Sequence, residues 1–153
     1  MKLILLKDKL KEVMYTIDRV CSKKGDLNIL NFFHIKTANN KIIITATDLE
    51  ISYQAEISGR IEKEGEILLP AKQFTQLLDS FYEDEITLEK SKNTVLIRGE
   101  SSLSSLVGLM EEEYPVVSKM EKENYFEIDN EIIEDILSKM FLNLKTSDLF
   151  KPE

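Results

Sequence analysis

Residues 41–61 read KIIITATDLEISYQAEISGRI. Apolar and β-branched side chains recur there at every second position, first Ile42, Ile44 and Ala46, then Tyr53, Ala55 and Ile57. That is the period of a half-buried strand. NILNFFHIKTA before it (28–38) and GEILLP after it (65–70) carry the same pattern, with Asn39-Asn40 as a turn. A meander of antiparallel strands is expected.

Two carboxylates interrupt the apolar run. On a strand, Asp48 and Glu50 would share a face about 7 Å apart. Such a pair can divide acid and base work or hold a hard cation. No third carboxylate, glycine-rich phosphate loop or activated nucleophile accompanies them, so solvated strand or turn residues are the better reading, and a hydrolase using the two is the weakest of three function classes.

Outside the meander the period changes. Leu3 and Leu5 read as a first strand, and Leu10, Val13, Met14, Ile17, Val20 and Cys21 recur at helical spacing. A helix from about Asp8 to Ser22 follows, stopped near Gly25. Pro70 introduces AKQFTQLLDSFY, where Phe74, Leu77, Leu78 and Phe81 mark one face of a second helix. DEITLEK, an SKN turn and TVLIRGE make a hairpin, and SLSSLVGLM a further strand leading to EEEYPVV. Strand, helix, strands, helix, strands is an α+β plan.

The beginning of this plan recurs. Shifted by 123 positions, Leu3 and Leu5 fall on Phe126 and Ile128, while Leu10, Val13, Met14 and Ile17 fall on Ile133, Ile136, Leu137 and Met140. A period near 120 residues suggests tandem domains rather than a solenoid. The polar stretch SKMEKEN (118–124) reads as a linker. The expected organisation is one domain over 1–120, then a linker and an incomplete second domain over 121–153. Half a domain cannot bury its own apolar stripe, so residues 125–153 are expected to dock incompletely.

Charge is unevenly placed. The net charge is −8, yet residues 7–24 hold six cations against three anions. A basic face on an acidic body is compatible with phosphate contact, from the first helix, from SKKGD and from Lys72 at the start of the second helix. One cysteine and one histidine exclude a disulfide framework and a Cys/His zinc site. Cys21 on the apolar stripe reads as a small hydrophobe, and His34 receives no role. The apolar opening is too short for a signal segment or a membrane span, and the expected compartment is the cytoplasm.

Three stretches taken together carry a resemblance. TATDLEI (45–51), LLPAKQF (68–74) and EEYP (112–115), in colinear order from Met1 to about Val117, resemble the amino-terminal domain of the bacterial sliding clamp family, the beta subunit of DNA polymerase III. In that family three similar domains make a crescent, and two crescents close head to tail around duplex DNA. The resemblance implies antiparallel sheets outside, two helices on the DNA-facing side, and a non-enzymatic processivity factor that needs no cofactor and no metal. Its implied partners are double-stranded DNA, a second crescent, DNA polymerase III subunits and the clamp loader. It makes Lys24 the best DNA-contact candidate, with Lys23 beside it and Lys72 at a basic position after PA. It places Ser104 and Leu106 on the strand that meets the neighbouring subunit.

Departures from the family pattern set further expectations. Asn28 stands where the family usually has proline. Ser104 stands where it often has an aromatic residue, which implies a weaker ring closure. After Met140 the FLNLKTSDLFKPE tail follows no family pattern. The sequence therefore looks like one clamp domain with the start of a second, a fragment or truncated form. The competing class is an interaction module that binds clamp or clamp-loader partners without encircling DNA.

Overall fold

A computed structural model of the chain describes residues 1–21, 28–110, 114, 115, 117 and 127–147, the side chains of 142–147 excepted. Contacts divide it into two units, Met1–Val117 and Ser118–Glu153. In the first, β1 (Lys2–Leu6) runs directly into α1 (Lys7–Val20). A 3-10 turn (Asn28–Asn31) then leads to β2 (Phe32–Ala38), β3 (Lys41–Thr47), β4 (Ser52–Ile57), β5 (Gly59–Lys63) and β6 (Glu66–Pro70). After α2 (Ala71–Ser80) come β7 (Glu85–Ser91), β8 (Thr94–Arg98) and β9 (Leu103–Val107). The second unit contains α3 (Asn130–Ser147).

The strands form two antiparallel sheets, ordered β5-β1-β7-β8-β9 and β4-β3-β2-β6. Alternation decides which side chains face inward. Leu3, Leu5, Ile86, Leu88, Val95 and Ile97 come inward from the first sheet; Phe33, Ile35, Ile42, Ile44, Ile67 and Leu69 from the second. Leu10, Met14 and Ile17 of α1 and Phe74 and Leu78 of α2 complete the same core. Their 3-4 spacing puts each set on one helix face. α1 packs on β3 and β4, α2 on β6, and the helices pack on each other.

Turn chemistry closes the hairpins. Asn39 and Asn40 both adopt positive φ (52° and 60°), as a type I′ hairpin turn requires of its two central residues. Where two sheets meet, Gly108 is held close to β6. A Cβ there would sit 2.4 Å from the Leu68 carbonyl oxygen and 2.8 Å from Ile67. Its neighbour Leu109 exchanges two backbone hydrogen bonds with Leu68, at 3.0 and 3.1 Å. That bridge ties the β9 end of one sheet to the β6 edge of the other.

One reading is resolved and one expectation needs correction. Of the strand and turn readings of Asp48 and Glu50, the turn holds: the run breaks into β3 and β4 around a four-residue turn, with Leu49 at φ 76°. The strand expected around Phe126 and Ile128 is absent from Glu127–Asp129, which is irregular; Phe126 lies outside the described residues. A strand needs a neighbour to satisfy its backbone, and the described residues supply none there. The helix expected after it is present as α3. Among the described residues no helix is long and apolar enough to cross a membrane.

Candidate nucleic-acid interface

Most cations of α1 are already engaged. Lys7 donates from Nζ to the Phe81 carbonyl at 3.1 Å, and Lys11 pairs with Asp79 of α2 at 2.6 Å. Lys9 lies 3.7 Å from Glu12 on the same helix. The Arg19 guanidinium donates to the Tyr15 hydroxyl and lies 4.3 Å from that ring's centroid. Lys11 thus helps hold the two helices together. The Lys9, Lys11 and Arg19 contacts are exposed, so each contributes at most about 1 kcal/mol and those cations remain exchangeable with an approaching anion.

Lys72 differs. It is the second residue of α2 and exposed, and no hydrogen bond or ion pair of its side chain occurs among the described residues. Pro70 at the N-cap gives the helix no side-chain cap, and Lys72 lies in its first turn. A helix N-terminus with a free cation next to it suits a phosphate oxygen. Lys23 and Lys24 lie outside the described residues.

Ser104 and Leu106 fall on β9, the outer strand of the five-stranded sheet. Opposite Ile97 and Val95 in the register, both face inward and are half-buried, Leu106 packing against the core. Leu103 and Val107 stand on the other face, 63% and 70% exposed. Among the described residues no strand pairs with the outer edge of β9, and apolar side chains flank it, which is the chemistry of a strand that can accept another.

The sequence-singled carboxylates have a local task. Asp48 Oδ1 accepts from the N–H groups of Glu50 (3.0 Å) and Ile51 (2.6 Å). Thr47 Oγ1, nearly fully buried, donates to the Ile51 carbonyl at 3.0 Å and accepts from the Leu49 N–H at 3.1 Å. Side chains of the TDLE run thus build the turn that carries Leu49 at positive φ. Among the described residues no three acidic, histidine or cysteine side chains are placed to hold a metal ion. Cys21 is buried, and burial, with a smaller contribution from Asp18, pushes its thiol up to about 12.

Sequence reasoning missed two anchors. Tyr114, inside EEYP, sends its hydroxyl to the Phe32 carbonyl at 3.1 Å, with the Thr45 carbonyl at 3.4 Å. Its ring lies 5.8 Å from His34. Burial raises its phenol above the ordinary value. An aromatic ending a run of glutamates was the available signal. The other anchor is Glu83, between α2 and β7. Hydrogen bonds from its own backbone N–H, from Ser102 and from Ser101 hold its carboxyl at about 2. Glu83 Oε1 accepts from the Ser101 N–H and hydroxyl, both at 3.0 Å.

Comparison with known proteins adds to this geometry. Residues 1–118 match the family model described as DNA polymerase III beta subunit, N-terminal domain. The beta sliding clamp of Chlamydia muridarum is 23% identical over 140 residues, covering 91% of this chain and 38% of the relative. The crystal structure of the DNA polymerase sliding clamp from Bacillus subtilis superposes with a TM-score of 0.83 at 23% identity, over 89% of this chain and 38% of that one. The beta subunit structure from Streptococcus pyogenes gives 0.82 at 21%, with the same coverage of 89% and 38%. The chain thus spans under two fifths of the length of these proteins.

Proposed function

The chain belongs to the DNA polymerase III beta subunit family through that family's N-terminal domain, and from this premise we propose that it serves as the DNA-facing domain of a sliding clamp. The observation that carries the proposal is the match over residues 1–118, together with two sheets and two mutually packed helices in the same arrangement as solved clamps. The role is topological, without catalysis, and belongs to the cytoplasm where bacterial replication occurs. α1 and α2 face the duplex, and Lys23, Lys24 and Lys72 meet phosphates without reading bases. Exchangeable cations are what sliding requires, because each displaced counterion is regained one step along the backbone. Ser104 and Leu106 on β9 support closure against a neighbouring subunit, and polymerase III subunits and the clamp loader are the partners of the assembled ring.

One observation favours a second reading. The chain covers only 38% of the relatives' length, so an interaction module that binds clamp or loader partners through the β9 edge is the competing function. DNA topology separates the two. The chain is incubated with a bacterial clamp loader, ATP and a nicked circular plasmid, and the plasmid is then cut. Retention on the circle and release on linearisation supports the ring. Binding to the loader with no retention on the circle supports the module and overturns encirclement.

A further inference from the structure

We infer that Tyr15 is a positioning residue, which holds the Arg19 guanidinium on the outer face of α1 as a preformed fork for a duplex phosphate. The inference rests on the reading that α1 faces DNA, and it adds two residues to the lysines assigned there. Leu10, Val13, Met14 and Ile17 of α1 are buried. The opposite stripe, spaced 4-3-4, carries Asp8, Glu12, Tyr15 and Arg19, all exposed. Carboxylates occupy the first half of that stripe, tyrosine and arginine the second. A polyanion crossing α1 is therefore admitted at the C-terminal half of the helix.

Arg19 differs from the other cations of α1 in what holds it. Lys9 and Lys11 sit against the carboxylates of Glu12 and Asp79, and a half-buried contact ties Lys7 to the Phe81 carbonyl. The partner of Arg19 is a neutral side chain. Its Cζ lies 4.3 Å from the centroid of the Tyr15 ring, and its Nη2 donates to the Tyr15 hydroxyl. A ring face attracts a guanidinium without cancelling its charge. That hydrogen bond uses one donor of the guanidinium, and the remaining donors can take a phosphate through two parallel bonds. An arginine loses side-chain freedom when it binds; here the tyrosine one turn earlier imposes the order beforehand. Tyr15 is 63% exposed, so core packing does not account for its ring.

The test is the affinity of the full chain for a fluorescent duplex, read by anisotropy across a salt series, beside urea unfolding of each variant. Arg19→Ala should lower the slope of log affinity against log salt by about 0.9, the value of one phosphate contact. Arg19→Lys should keep the slope and lose about threefold in affinity, since lysine keeps the charge without the stacked fork. Tyr15→Ala should behave like Arg19→Lys, and Tyr15→Phe, which keeps the ring, should recover part of the loss. In an Arg19→Ala background, Tyr15→Ala should change nothing further. All of these sites are exposed, and the variants should unfold as the native chain does. An unchanged slope in Arg19→Ala, while Lys24→Glu with Lys72→Glu lowers it, overturns the inference and leaves the DNA-facing reading standing. Slopes unmoved in both overturn both. A Tyr15→Ala loss that persists in the Arg19→Ala background overturns the positioning role.

Discussion

Phe74 is fully buried on α2, and its ring centroid lies 5.2 Å from that of Phe33 on β2, the planes tilted by 60°. The pair fastens α2, and with it Lys72 two residues before, to the four-stranded sheet. Phe74→Ala removes a whole aromatic ring from the buried core. Such truncations cost about 3–5 kcal/mol, of which the tilted ring pair supplies about 1 kcal/mol beyond area burial. Urea unfolding followed by circular dichroism should show a loss of about 4 kcal/mol, a midpoint lowered by about 2–3 M at an unchanged slope. Phe33→Ala should cost a similar amount, and the double variant about 1 kcal/mol less than the two singles added, because the ring contact is lost only once. A loss below about 1.5 kcal/mol for Phe74→Ala, or strict additivity, would refute the packing account.

Other perturbations probe the turns and the joint between sheets. Gly108→Ala places a Cβ 2.4 Å from a backbone oxygen; it should break the Leu68–Leu109 bridge and cost about 2 kcal/mol in the same assay, with faster amide exchange at both residues. Glu83 titrates at about 2 when folded against 4.5 as its ordinary value, a depressed carboxyl, so its contribution to stability is present above pH 4.5 and is lost as pH falls toward 2. Glu83→Gln should flatten that part of the stability–pH profile. Asp48→Ala should cost about 1 kcal/mol by freeing two backbone donors, Asp48→Asn should recover most of it, and neither should alter DNA affinity; a DNA defect in Asp48→Asn with stability intact would revive a functional carboxylate.

Periodicity was sufficient to place the helices, though not the strand expected around Ile128. The helix expected from about Asp8 to Ser22 forms as Lys7–Val20, and the one after Pro70 as Ala71–Ser80, because each has an apolar face at 3-4 spacing and a breaker at its start or end. Asn39-Asn40 marked its turn for a physical reason, since asparagine tolerates positive φ. Pairing across distance was not legible. Nothing local in Lys2–Leu6 states that it lies between β5 and β7, since alternation fixes a face and not a neighbour. Strand and turn stayed open at Asp48 for a related reason: its β-branched surroundings read as strand, while the turn depends on Thr47 and Asp48 accepting backbone hydrogens. Of the candidate interface residues, Lys72 was legible as a helix-start cation from its place after Pro70. The engagement of Lys7, Lys11 and Arg19 was not, because their partners Phe81, Asp79 and Tyr15 are set by helix packing and side-chain reach.

The most direct test of the central claim, that lysines of this domain meet DNA phosphates without reading bases, is the salt dependence of affinity for duplexes of unrelated sequence, measured for the native chain and for Lys24→Glu with Lys72→Glu. Each phosphate contact contributes about 0.9 to the slope of log affinity against log salt. The account predicts that the double variant loses affinity equally on every sequence and that its slope falls by about 2. An unchanged slope, or a loss confined to particular sequences, would contradict it.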